Sequence, residues 1–348
     1  MAKVTFYTPF DMLNLDYLGG YAEIDTLSSV GVVDGAYYYN FEGNFSEISV
    51  ANSIFSVSGR VTDITVTYFG VTEVRVENLN LAGVHLENLF NTGDLSLFTV
   101  KMLSGNDRVI GSYGDDFLGG FNGNDRIWGN GGDDILGGGS GDDVIYGGAG
   151  FDLIVGQSGD DIIYGGIDDD LLDGNSGHDI INGGSGKDFL YGDFGNDKLY
   201  GGGGRDILNG DGGNDTLKGG SNNDDLFGHA GKDVLAGGTG NDLLSGGGNN
   251  DKLYGGDGVD ILDGGSGNDV LAGGAGADIF VFRAASGDDT ITSFNTARDT
   301  IEIAGGLTFE DITILYTGGN ADVYYHTNLL TIEGMSNGAL SAADFDFV

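Results

Sequence analysis

The chain has 348 residues, of which 69 are glycine, one is proline and none is cysteine; 54 acidic against 14 basic residues give a formal net charge of −40. Glycine at this level without proline is neither collagen nor a proline-rich linker, and the charge repels nucleic acid and anionic membrane alike. Without cysteine there is no disulfide framework and no thiolate metal site, so the attraction left to such a chain is for hard cations.

Residues 1–101 come first. Their N-terminal stretch has no apolar core of the kind a cleaved secretion signal carries, and no run of about 18 apolar residues occurs anywhere, so neither a leader nor membrane insertion is expected. Residues 61–68 and 74–81 alternate as strands do. Residues 71–100 are expected to run on as rungs stacked on the first repeat. A segment of this length holds a small β-rich head domain with a modest core; its function is unclear.

Residues 102–281 are one repeat throughout. Aspartate recurs every nine residues without a slip: Asp107, Asp116, Asp125, Asp134, Asp143, Asp152, Asp161, Asp170, Asp179, Asp188, Asp197, Asp206, Asp215, Asp224, Asp233, Asp242, Asp251, Asp260, Asp269 and Asp278. Glycine stands two residues before each, except where Asp168, Asn222 and Asn249 replace it, and five residues before each except at Met102. Two residues after each Asp comes a large apolar side chain, from Val109 and Leu118 to Leu271 and Phe280. The unit reads G-G-x-G-x-D-x-U-x: six turn residues, then a three-residue strand with one side chain facing in. The second glycine is replaced by Asn130, Asn175, Asp193, Asp211 and His229, which tolerate a positive φ; Leu103, Ser112, Phe121 and Gln157 break that rule. Strands this short must stack as a solenoid, two repeats to a coil and ten coils in all.

This repeat resembles the RTX, or hemolysin-type, calcium-binding nonapeptide, over about half the chain. The resemblance implies an all-β fold, a right-handed parallel β-roll solenoid of about twenty nonapeptide turns flanked by N- and C-terminal β-rich capping domains. It also implies Ca²⁺ between neighbouring turns on each edge, held by the twenty aspartates named above and by backbone carbonyls, with about eighteen sites on this geometry. Oxygen-only ligands in a flexible, carbonyl-rich cage independently favour Ca²⁺ over Mg²⁺. Without a cation, each stacked carboxylate pair would cost about 0.8 kcal/mol in water and ~3 at an effective dielectric of 20.

Residues 282–348 form a C-terminal β cap by the same reading. Short alternating strands are expected at 279–282, 286–294 and 299–303, with helical turns at 309–312 and 341–345. The block resembles the C-terminal flank of type I-secreted RTX proteins, down to the acidic-aromatic end Ala-Asp-Phe-Asp-Phe-Val, which implies an uncleaved export signal, the type I secretion apparatus as a partner, and a secreted, extracellular or cell-surface location.

Enzyme motifs fare poorly. His85, His178, His229 and His326 contain no pair at i and i+4 for a zinc protease, and Pro9 follows Thr8, so no Asp-Pro cleavage site exists. Gly334, Ser336 and Gly338 fit G-x-S-x-G, but no histidine lies downstream of Ser336. No catalytic residues are assigned. The leading expectation is a secreted structural, adhesive or surface- and matrix-associated protein, not an enzyme; the alternative is an extracellular enzyme with an unrecognised site in the head. The position after Asp is apolar on one sheet (Phe117, Ile135, Leu153, Leu171 and on to Ile279) except at Asp225, and partly cationic on the other (Arg108, Arg126, Lys198, Lys252), where Trp128, Tyr146, Tyr164, Tyr200 and Tyr254 also line up. The first stripe is expected to pack against the head or tail domain or another copy of the chain, and the second is a lesser candidate for a glycan or partner contact.

Overall fold

A computed structural model describes residues 105–348 apart from 284, 285 and 337, together with the backbone of seven strands in the head. Two compact units divide the chain, Met1–Ile163 and Tyr164–Val348.

In the first unit the described head strands are antiparallel, except that Leu13–Asn14 lies parallel to Ser29–Asp34. Tyr37–Ala51 and Ile54–Tyr68 pair along their whole length, with register shifts at Glu42/Gly43 and Phe45/Glu47. Ser29–Asp34 pairs with the former; Val71–Glu77 and Leu81–Leu86 pair with the latter. The strand expected at 61–68 thus lies inside a longer one. That at 74–81 belongs to two strands, and residues 78–80 lie outside those described. The expectation of stacked rungs needs correction. Val71–Glu77 meets the first repeat strand, Arg108–Ile110, antiparallel, with Val76 opposite Val109. A strand edge with unpaired N–H and C=O groups accepts a partner of either direction, and here a meander strand closes it. Residues 87–104, including Met102 and Leu103, lie outside the described residues, as do residues 1–12.

The repeats of the first unit then stack in parallel, residue on residue eighteen apart: Arg126 on Arg108 and Val144, Ile135 on Phe117 and Leu153. Alternate repeats go to opposite sheets. In the second unit the same ladders run from Leu171 through Phe189, Ile207, Asp225, Leu243 and Ile261 to Ile279, and from Ile180 through Lys198, Thr216, Val234 and Lys252 to Val270.

Most strands are longer than expected. Ile135–Ser140 and Val234–Thr239 are typical six-residue strands, because pairing persists through the glycine pair that was read as turn. Only Arg108–Ile110, Phe189–Tyr191 and Ile207–Asn209 keep the expected three residues. The parallel ladder explains the difference: every coil repeats its neighbour's backbone, so a glycine that would frustrate an isolated strand still finds its partner.

The core is one side chain per repeat. All twenty apolar residues two after Asp are at most 2% exposed, and the residue between Asp and that position is half-buried or exposed. Close coil-on-coil stacking dictates the turn backbone. Asp168, Asn222 and Asn249, which replace glycine, all adopt positive φ (79°, 75° and 80°). So do Phe121 (74°) and Gln157 (80°), which the sequence pattern counted as exceptions. A left-handed conformation costs an L-residue roughly 1–2 kcal/mol; the ladder outweighs it at these two sites.

The solenoid does not stop at the twentieth repeat. Ile279–Phe282 pairs in parallel with Thr300–Ile303, and Val270–Ala275 with Asp289–Ser293, so the tail supplies one coil more than the ten expected. Phe345–Phe347 and Asn328–Ile332 then extend the two edges. The expected helical turns are short 3₁₀ turns, Phe309–Asp311 and Ala342–Asp344. Each is closed by a carboxylate accepting from the residue before the turn: Asp311 from the Thr308 N–H at 2.9 Å and Asp344 from the Ser341 N–H at 2.6 Å. No described helix is long and apolar enough to cross a membrane.

Candidate metal centre

All twenty repeat aspartates are buried, none more than 9% exposed. Their position follows from the repeat. The glycine two residues earlier turns the chain, and the apolar residue two later anchors it, so the carboxylate points back under the turn. There it meets the main chain of the next coil. The N–H of Asp188 donates to Oδ1 of Asp206 at 2.9 Å, that of Asp206 to Asp224 at 2.9 Å, and that of Asp224 to Asp242 at 2.8 Å. The other edge repeats this with Asp215, Asp233, Asp251 and Asp269. In the first unit Asp107 donates to Asp125, Asp116 to Asp134, and Asp125 to Asp143.

The second carboxylate oxygen is treated differently. Oδ2 of Asp125, Asp134, Asp143, Asp188, Asp206, Asp215, Asp224, Asp233, Asp242, Asp251, Asp260, Asp269 and Asp278 is buried with no hydrogen-bond partner, and Asp107 has neither oxygen satisfied. A buried anionic oxygen without a donor is costly. The carboxyls respond accordingly: burial pushes Asp224 up to about 7 against the pull of the Asp206 N–H, with the Asp206 and Asp242 charges adding to the push. Burial likewise raises Asp233 and Asp251 to about 7 and Asp215 and Asp260 to about 6.

The glycine five residues before each Asp leaves room for that oxygen. A Cβ on Gly201 would collide with Oδ2 of Asp206 and lie 2.7 Å from the carbonyl oxygen of Gly219, one coil on. Gly237 stands in the same relation to Asp242 and to the Gly255 carbonyl, and Gly246 to Asp251 and the Gly264 carbonyl. Carboxylate and main-chain oxygens therefore converge on one small space in coil after coil. Among the described residues no group of three or more His, Cys, Asp or Glu side chains converges. A cation here would take carboxylate plus carbonyl oxygens, a hard, all-oxygen donor set that fits Ca²⁺.

A second ladder lies on the outside of the turns, with the opposite polarity. Where the side chain just before the repeat Asp is Asn or Asp, it can accept from the N–H of its counterpart one coil later: Asn196 Oδ1 from Asn214 at 2.8 Å, Asn214 Oδ1 from Lys232 at 2.9 Å, Asn241 Oδ1 from Val259 at 2.9 Å. His178 belongs to it, with Nδ1 accepting from the Asn196 N–H at 2.8 Å. His229 stands at the left-handed turn position beside Asp211, 3.9 Å away, and His326 lies in a tail turn. The His85 side chain lies outside the described residues. Ser336 follows the strand Asn328–Ile332 in a loop, where the G-x-S-x-G match would require a strand-to-helix elbow.

Two ligand-type aspartates escaped the sequence reading. The N–H of Asp269 donates to Oδ1 of Asp289 at 3.0 Å and that of Asp278 to Oδ1 of Asp299 at 3.3 Å, so the inner ladder continues into the tail. The signal was present: Asp289-Thr290-Ile291 and Asp299-Thr300-Ile301 keep the D-x-U core of the repeat, and Gly287 keeps the glycine two before Asp289 with φ +106°.

A stacked parallel roll with a buried carboxylate at every ninth residue, and Oδ2 left without a donor along both columns, defines a metal-binding repeat protein. Residues 103–136, 137–172, 164–199, 173–208, 200–235, 227–262, 245–280 and 254–291 match the family model of the RTX calcium-binding nonapeptide repeat. The chain belongs to this family, and its repeats bind calcium. No curated protein matches the chain. Among solved structures, the crystal structure of the extracellular lipase LipA from Serratia marcescens is similar at 18% identity, with a TM-score of 0.26. That similarity covers 64% of this chain and 44% of the lipase, so the chain spans under half the length of that relative.

Proposed function

We propose that this is a secreted calcium-binding protein whose roll folds on Ca²⁺ outside the cell and serves a structural, adhesive or surface- and matrix-associated role. The observation that carries it is the column of buried Oδ2 atoms lacking donors. Calcium supplies the positive charge that these columns lack and takes their oxygens as ligands. The ligands we assign are the repeat aspartates from Asp107 to Asp278, using Oδ2 wherever that oxygen lacks a donor. The turn glycines hold the carbonyls near, and the inward apolar residues fix the spacing. Ligand formation and folding are then one event. Affinity near the millimolar range of extracellular modules would keep the chain unfolded in a low-calcium cytoplasm.

The division we favour is a head of residues 1–101, a roll of 102–281 and a tail of 282–348 that both caps the roll and addresses the chain to a type I secretion apparatus. Deleting residues 290–348 in cells carrying such an apparatus tests the address: export should stop while the roll still binds calcium, and unimpaired export refutes it.

For the role after export, two outward stripes support the reading. Leu171, Phe189 and Ile207 stack as a half-buried apolar row suited to self-association. Trp128 and Tyr146 stack at 5.6 Å with Arg108 over the indole, a lesser surface for glycan contact. Sedimentation of the chain in millimolar Ca²⁺, compared with Leu171→Thr/Ile207→Thr, tests the first. The variant should fold on calcium yet associate less, and a wild type that stays monomeric at high concentration contradicts self-association.

A further inference from the structure

The two edges of the roll end differently in the tail. On one edge the last ladder carboxylate is Asp299. Its Oδ2 accepts the N–H of Asn295 at 2.7 Å, so both of its oxygens are satisfied by main chain. Burial disfavours a charge on Asp278 beneath it, and Arg298 is close enough to offset part of that cost. This edge is closed by the protein's own N–H and guanidinium. Asp116 carries the same plug, its Oδ2 accepting the Ser112 N–H at 2.6 Å.

On the other edge the last ladder carboxylate is Asp289. It is 2% exposed, Oδ1 accepts the Asp269 N–H, and Oδ2 is buried with no donor. Oδ2 of Asp269, whose N–H is the donor to Asp289, is likewise without a donor. Asp288, next to it, spends Oδ1 on the Leu329 N–H at 3.1 Å. Two buried carboxylate oxygens one coil apart, neither supplied with an N–H, match the repeat columns and not the Asp299 end.

Building on the calcium reading of the repeat columns, we propose that Asp289, outside the twenty regular repeats, forms a further divalent-cation site with Asp269, while Asp299 and Asp116 are main-chain plugs that bind no metal through Oδ2. The two edges therefore hold unequal numbers of ions. The site also has a mechanical consequence. Asp289–Ser293 pairs on one side with Val270–Ala275 of the roll and on the other with Asn328–Ile332 of the tail. A cation at Asp289 clamps the strand that joins them, so the tail acquires its fold with calcium.

Crystals of the full chain grown with Tb³⁺ test this without mutation. Anomalous density between Asp269 and Asp289, with none against Oδ2 of Asp299, supports the proposal. Density at Asp299, or an empty Asp289 beside occupied repeat columns, overturns it. If the repeat columns are empty as well, the assignment of the repeat aspartates as calcium ligands fails with it. In solution, calcium bound per full-length chain at saturation should fall by one in Asp289→Asn, whose amide oxygen can still accept the Asp269 N–H, and should be unchanged in Asp299→Asn. Tryptic cleavage after Arg298 should become faster in Asp289→Asn at saturating calcium. An unchanged calcium count in Asp289→Asn would overturn the proposal even if that cleavage changed.

Discussion

The N–H of Asp206 donates to Oδ1 of Asp224 at 2.9 Å, and the Oδ2 atoms of both carboxylates are buried without a donor. One carboxylate thus does two separable things: it ties neighbouring coils through Oδ1 and presents Oδ2 to a cation. Asp224→Asn should keep the first and lose the second. Losing one site costs about 1.4 kcal/mol at calcium tenfold above its Kd, seen as a higher calcium midpoint. Leu226→Ala removes a fully buried core side chain two residues away and should cost roughly 2–5 kcal/mol whatever the metal. Chemical denaturation at two calcium concentrations separates them, since only the Asp224→Asn deficit should grow with calcium.

Gly237 offers a steric test. Its φ is not in the left-handed region, so alanine would ordinarily stabilise by about 0.5–1 kcal/mol. The new Cβ, however, would collide with Oδ2 of Asp242 and lie 2.7 Å from the Gly255 carbonyl. Overpacking of about 1–3 kcal/mol should win, and Gly237→Ala should bind calcium more weakly. Gly203→Ala, whose Cβ would meet nothing nearer than Ser221 Oγ at 3.4 Å, should not. Equal calcium midpoints for the two variants would contradict a glycine-lined cradle around Oδ2.

Much of this was legible in the sequence. A nine-residue period fixes both the Asp column and the single inward side chain, because each coil can stack only on a copy of itself. Less visible was the length of the strands through Gly-Gly, which depends on partners eighteen residues away. Asp289 and Asp299 were hidden because their coils contain 20 and 21 residues instead of 18, so the period breaks while the D-x-U core survives. Phe121 looked like an exception only because its residue type says nothing of the φ its stacked neighbours impose. The antiparallel approach of Val71–Glu77 to the first repeat left no signal, since strand alternation is the same in either direction.

Acidity should replace calcium in part. Burial raises the folded-state pKa of Asp134, Asp143 and Asp224 to about 7, above the ordinary carboxylate value of 3.8. A raised acid contributes no penalty below about pH 4, where both states are protonated. The penalty grows as pH rises from about 4 to 7 and is constant above. In chelator, the roll should therefore gain strand signal as pH falls from 7.5 to 5, and the calcium midpoint should rise over the same interval as protons compete for Oδ2. A calcium midpoint independent of pH in this window would show that these carboxylates are not the ligands.

The most direct test is far-ultraviolet circular dichroism of the full chain at pH 7.5 during a calcium titration from excess chelator. Uncompensated carboxylate columns should leave the roll without strand signal in chelator and restore it cooperatively as calcium approaches the millimolar range, with magnesium far less effective. Full strand signal in chelator, unchanged by calcium, would contradict the account at its centre.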